Sequence, residues 1–157
     1  MNVCLGVPRS MREAGWYSVD MQGEPDFRCS FTRLDVIENE SCEIILASHV
    51  LEHGPYNGWG KHRVAQTIEL LSLWRDKLKP GGVLLIAVPD LDIICNQLQK
   101  YQNRYWKLDD TPLKDIIGPL FGGEDNEYNR HHMLYNRSCL HFSLTKAGFI
   151  KVVPIPK

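Results

Sequence analysis

The 157-residue chain lacks a charge surplus, a long apolar run and any paired-cysteine motif. Lys and Arg number 18 against 19 Asp and Glu, for a formal net charge of −1. No basic run is interleaved with aromatics. Neither nucleic acid nor an anionic membrane is therefore expected as a partner. No stretch approaches the ~18 apolar residues of a membrane span. The five cysteines, Cys4, Cys29, Cys42, Cys95 and Cys139, are odd in number and form no CxxC. Reduced thiols are expected, rather than a disulfide framework or a metal cage. Met1 leads into a short apolar run and then Pro8-Arg9, which is unlike a secretory leader, so a cytoplasmic protein is expected. There is no internal repeat and no low-complexity tract. Hydrophobic residues make up 43% and charged residues 24%, the balance of one folded globular domain at this length.

Short apolar runs alternate with helical patterns. Asn2 to Leu5, Trp16 to Met21 and Cys42 to Ser48 read as strands, and Asp26 to Ser30 as a shorter one. The run from Cys42 is apolar without alternation, as in a strand covered on both faces. Between Lys61 and Leu78, Val64, Ile68, Leu71, Trp74 and Leu78 recur at spacings of three and four, the stripe of an amphipathic helix. Pro80-Gly81-Gly82 stops it, and Val83 to Val88 is another continuous apolar strand. Asp90 or Asp92 is placed to cap a further helix through Ile94, Leu98, Tyr101 and Tyr105. Residues 107–135, with Pro112, Pro119 and Gly122-Gly123, read as an irregular segment that shapes a site. Asn136 caps a last helix that ends at Gly148, and Lys151 to Ile155 reads as a final strand. This alternation predicts an α/β domain with a mostly parallel sheet.

Ligands of an open parallel sheet bind beyond the carboxyl ends of its strands. The residues found there are Gly6-Val7-Pro8 after the first strand, Asp20 after the second, Ser48 to His53 after the central one and Pro89-Asp90 after the next. A glycine lets backbone approach a ligand closely. An acid after the second strand accepts hydrogen bonds from ribose hydroxyls.

Two separated segments, CEIILASHVLEH (42–53) and LKPGGVLLIAV (78–88), resemble in order, spacing and flanking pattern the class I S-adenosylmethionine (SAM) methyltransferase family. Leu120 to Asn136, then Leu140 to Phe149, resemble the closing helix and sixth strand of that family. The resemblance implies a Rossmann-like three-layer sandwich with about six strands. It implies SAM as cofactor, S-adenosylhomocysteine as product and a small-molecule or other, unidentified methyl acceptor. Leu5, Gly6 and Val7 would lie against the methionine end of SAM. Asp20 would hold the ribose and Met21 would sit beside the adenine. Ser30 and Phe31 would flank the adenine, and Ser48 and His49 would line the pocket near sulfonium and acceptor. The chain departs from the family in its glycine turn, which has one glycine, and in having Ser30 or Thr32 where an acid usually follows the third strand. No seventh strand is evident after Ile155.

Methyl transfer to an activated carbon asks the protein mainly for positioning and desolvation. A base is needed only where the acceptor loses a proton. His49 and His132 are the first candidates, ahead of His53, His131, Tyr56 and Tyr128. Trp59, in Asn57-Gly58-Trp59-Gly60, is placed to cover an acceptor. No residue is assigned to a metal. Two rival readings remain at this point: a methyltransferase-like binding module without catalysis, and a zinc metallopeptidase built on the HxxEH pattern of His49 to His53. The peptidase needs both histidines on one helix face, yet this segment follows a strand and breaks at Gly54-Pro55. A sheet with a bare edge would also accept a second copy as a homodimer.

Overall fold

The computed structural model describes residues 1–6, 14–54, 61–100, 111–123 and 128–155, with backbone alone for 111–115. Five strands form one parallel sheet in the order β3-β2-β1-β4-β5. They are β1 (Asn2–Leu5), β2 (Trp16–Asp20), β3 (Phe27–Arg28), β4 (Cys42–Ser48) and β5 (Leu78–Ala87). The helices are α1 (Lys61–Lys77), α2 (Leu91–Lys100), α3 (Thr111–Phe121) and α4 (Arg137–Lys146). An α/β fold with a mostly parallel sheet is thus borne out. Among the described residues, no helix is long and apolar enough to cross a membrane.

The register explains which side chains are buried. Leu5 pairs with both Val19 and Ala47, and Val3 with Ile45, so these five residues share one face of the sheet. On that face they meet Leu70, Leu71 and Trp74 of α1 and Leu144 of α4 in a single apolar cluster. Trp74 is wholly buried, and its Nε1 donates to the Phe31 carbonyl at 2.8 Å. That bond meets the indole's one polar requirement. The buried side of α1 is Thr67, Leu70, Leu71, Trp74 and Lys77. It is rotated from the expected stripe, leaving Val64 and Ile68 half-buried. Thr67 is tolerated inside because its hydroxyl reaches the Arg63 carbonyl and Tyr135 Oη.

Several expected boundaries hold. Asn136 caps α4 by accepting from the Cys139 amide at 2.9 Å. Asp90, rather than Asp92, opens α2, its Oδ1 accepting from the Asp92 amide at 3.0 Å. Gly148, at φ 93°, ends α4 in the left-handed region. Cys4, Cys29 and Cys42 are buried, and all five cysteines are free thiols.

Other expectations are corrected. Residues 107–135 are not irregular throughout, because Thr111–Phe121 is helical. Pro112 falls in the first turn, where no amide donor is needed, so it starts a helix instead of breaking one. Lys151 to Ile155 is not a strand. Pro154 removes a donor there, and Val153 and Ile155 are exposed without a strand partner among the described residues. Among the described residues the sheet therefore has five strands, with β5 at its edge. β2 ends at Asp20, which puts Met21 outside it. Tyr101 and Tyr105 lie outside the described residues.

Candidate functional site

All five strands run the same way, so their carboxyl ends open onto one edge. The chain reverses direction about β1, whose neighbours are β2 on one side and β4 on the other. In open parallel sheets ligands bind in the crevice at such a divergence, here beyond the carboxyl ends of β1 and β4. Gly6 continues the β1–β2 ladder, its amide donating to the Val19 carbonyl at 2.9 Å, and then turns at φ 65°. A Cβ at this position would stand 2.9 Å from Val50 Cγ2. Glycine is thus required twice, by its backbone angle and by the close approach of the segment after β4. Leu5 is fully buried in the core, so it supports the turn from beneath. Val7 lies outside the described residues, as do Tyr56 and Trp59.

Asp20 stands half-buried at the end of β2. Its Oδ1 accepts from the Gln22 amide at 2.9 Å, which orients the carboxylate. Met21 follows, exposed. Arg28 donates to the carbonyls of Met21 and Gly23 and so holds this turn in shape. Ser30 and Phe31 sit after β3 as expected from their positions, but they are engaged locally. Ser30 Oγ hydrogen-bonds Thr32 Oγ1 at 2.7 Å, and the Phe31 ring stands edge-on to Trp74 with centroids 6.4 Å apart. Phe31 is thereby half-buried against the core.

The exit of β4 carries the densest chemistry. His49 adopts φ 55°, a left-handed conformation that costs a non-glycine residue on the order of 1–3 kcal/mol. Its amide still donates to the Ala87 carbonyl at 2.9 Å, which extends the ladder with β5. A single 3₁₀ turn, Leu51–His53, follows. It sends Leu51 and Glu52 inward, and both are fully buried. Three residues of 3₁₀ helix cannot set His49 and His53 on one helix face, so the helical arrangement required of an HxxEH peptidase is not formed.

Glu52 has no hydrogen-bond donor on either carboxylate oxygen among the described residues. His49 Nδ1 lies 3.2 Å from Oε1, within ion-pair reach, and His131 Nε2 lies 4.0 Å away. Burial pushes the Glu52 carboxyl above the usual range, and the neighbouring His49 and His131 oppose that shift. Residues 130–133 come from far along the chain to close over this carboxylate. The amides of His132 and Met133 both donate to the Glu52 backbone carbonyl, at 2.8 and 3.3 Å. Two imidazoles meet beside it, His53 and His131, with ring centroids 4.7 Å apart. Burial, then the adjacent His131, hold His53 below the ordinary histidine range. His132 is lowered too, by burial and then by Arg130 and Arg63. The His132 carbonyl accepts from Arg63 of α1. Tyr128 is exposed nearby in sequence.

The tertiary structure therefore brings His49, Glu52, His53, His131 and His132 to the edge that Gly6 and Asp20 also occupy. The sequence marks the histidines as polar groups after a strand. It does not mark Glu52 as the hub. The signal available was an acid set directly after Val50-Leu51, in a stretch otherwise suited to burial.

A hollow of about 500 Å³ lies at the opposite edge, lined by residues that include Asn39, Arg75, Lys79 and Gly82. Its cations are already engaged. Arg75 donates to the Ala147 carbonyl and pairs with Asp76, and Lys79 pairs with Glu43. The carboxyl edge is the better candidate, since parallel sheets present their ligand-binding loops there and the buried Glu52 carboxylate, with neither oxygen hydrogen-bonded among the described residues, is there. No family model, no curated protein and no solved structure matches this chain.

Proposed function

We propose that the chain is a SAM-dependent methyltransferase, a Rossmann-like three-layer domain transferring a methyl group to an acceptor that the residues do not name. One observation carries the reading: Gly6 at positive φ, Asp20 and His49 all stand at the carboxyl edge of a sheet ordered β3-β2-β1-β4-β5. The segments 42–53 and 78–88 that resemble the family form the β4 exit and β5.

The residues present suit the cofactor. Asp20 keeps Oδ2 for a ribose hydroxyl while Oδ1 is held by the Gln22 amide. Met21 is exposed beside it and offers an apolar surface to an adenine. The turn at Gly6 brings backbone, not side chain, to the crevice. SAM supplies a methyl group on a positively charged sulfur, so the protein needs no metal or covalent nucleophile to activate it. His49, whose side chain is 64% exposed, faces the acceptor side. A small turn of its imidazole lets Nδ1–H donate to Glu52, which leaves Nε2 to take the acceptor's proton as the acceptor attacks. His132 is held by its backbone to Glu52 and Arg63 and takes second place as a base. The free thiols accord with a reducing, cytoplasmic setting.

Calorimetric titration with SAM and with S-adenosylhomocysteine tests the reading. Micromolar binding of either supports it, and an acceptor screen with labelled methyl groups then separates an enzyme from a binding module. No binding at millimolar ligand overturns it.

A further inference from the structure

We propose that Glu52, His53 and His131 bind a divalent first-row transition ion of the zinc class. One ligand atom from each residue lies within 4.8 Å of the other two. Bonds of about 2.0–2.2 Å around one tetrahedral ion hold its donors about 3.4 Å apart, so the three draw together by up to about 1.4 Å on binding it.

The hydrogen bonds around the imidazoles prepare them as ligands. His131 Nδ1 meets the Pro119 carbonyl at 2.9 Å, and His53 Nδ1 meets the Arg130 carbonyl at 3.1 Å. A carbonyl only accepts, so each Nδ1 carries the proton. Each Nε2 is then left as a lone pair, and that of His131 stands 4.0 Å from Glu52 Oε1. Backbone carbonyls that fix tautomer and ring orientation in this way are what metal-binding histidines ordinarily have behind them.

The carboxylate gives an independent observation. Glu52 is fully buried, and both its oxygens lack a hydrogen-bond donor among the described residues. A buried polar group in that state is costly, and a cation satisfies both oxygens at once. Two imidazoles and one carboxylate suit zinc, cobalt, nickel or iron(II). Magnesium and calcium prefer oxygen ligands throughout and are not expected to compete. His49, 3.2 Å from Oε1 at the solvent side, either orients the carboxylate or completes the ion's coordination. The ion would join the exit of β4 to a segment about 77 positions further on, the separation between His53 and Arg130. This inference does not depend on SAM.

The test uses untagged full-length protein stripped of metal with a chelator and then dialysed. Zinc is titrated by calorimetry and cobalt(II) by its visible absorption. One ion per chain is expected, with micromolar or tighter affinity, imidazole-ligated cobalt bands and a zinc-dependent rise in melting temperature. His131→Ala and Glu52→Gln should each weaken binding by more than about 100-fold, beyond the usual effect of an outer-shell change. His141→Ala, on the exposed side of α4, should leave it unchanged. Should His131→Ala fail to fold by circular dichroism, His131→Gln carries the same test. Absent one-to-one binding in the wild type, or binding undiminished in both site variants, would overturn the proposal and leave Glu52 a buried neutral acid. The titrations contain no SAM, so failure of the methyltransferase reading leaves their outcome untouched.

Discussion

The two ends of this sheet are built from similar residue types and satisfied to different degrees. At the amino end the charges are matched. The Met1 ammonium donates to the Ser41 carbonyl, Lys77 to Asn39 and Lys79 to Glu43, each at 2.9 Å. Arg75 ties α1 to the end of α4 through the Ala147 carbonyl. Asn2 Oδ1 is the exception, buried without a hydrogen-bond partner among the described residues. At the carboxyl end, Glu52 is buried with neither oxygen hydrogen-bonded among the described residues, His49 holds a left-handed turn and Gly6 another. An end whose polar groups are already paired holds the fold together. An end that keeps a carboxylate buried without hydrogen-bond donors beside strained turns has capacity left for a ligand.

The largest expected effect falls on the core beneath both ends. Trp74→Ala removes a fully buried side chain and the bond to Phe31. It should cost about 3–5 kcal/mol in denaturant unfolding. A smaller loss would mean that α1 does not join the two ends as described. Next comes Asp20→Ala, which should weaken SAM binding by about 1.5–3 kcal/mol through loss of a charged hydrogen bond to ribose, with stability little changed. Unaltered affinity in calorimetry would remove Asp20 from the site.

Gly6→Ala should destabilise by about 1–3 kcal/mol, from backbone strain at positive φ and contact with Val50. Pairing it with Val50→Ala in a double-mutant cycle should recover the steric part alone. Full recovery would show that backbone angle plays no part. Glu52→Gln separates the metal-free from the metal-loaded protein by sign. At neutral pH, chelated protein should gain roughly 1 kcal/mol, a rise of about 2–4 °C in melting temperature at this size, because a carboxyl group is no longer buried against its desolvation cost. Zinc-loaded protein should lose stability. The same sign under both conditions would end the contrast between the two edges. Lys79→Met is the smallest. Its partner Glu43 is solvent-exposed, and exposed pairs contribute little, so no measurable change in melting temperature is expected. A clear drop would place more of the stability at the amino edge than its geometry suggests.

The strands and long helices were legible because burial leaves a period in the chain. Cys42 to Ser48 is uniformly apolar and became a central strand; α1 has its helical spacing and became the helix over that face. Errors arose where one residue type serves two ends. Pro112 was read as a breaker, although proline suits a first helical turn. Lys151 to Ile155 has strand-forming residues, but strand formation requires a partner edge, and its bounds carry no record of one. The site was legible to the extent that it lies at strand exits, where Gly6, Asp20 and His49 follow directly from counting. The hub at Glu52 was not.

By itself the sequence determined the α/β class, the helix cap at Asn136 and the polar character of the strand exits, because each depends on neighbours within a few positions. Only the tertiary structure decided that Glu52 is buried beside His53 and His131. That arrangement depends on residues 130–133 folding back onto the turn after β4, and contacts between such distant positions leave no periodic trace in the chain.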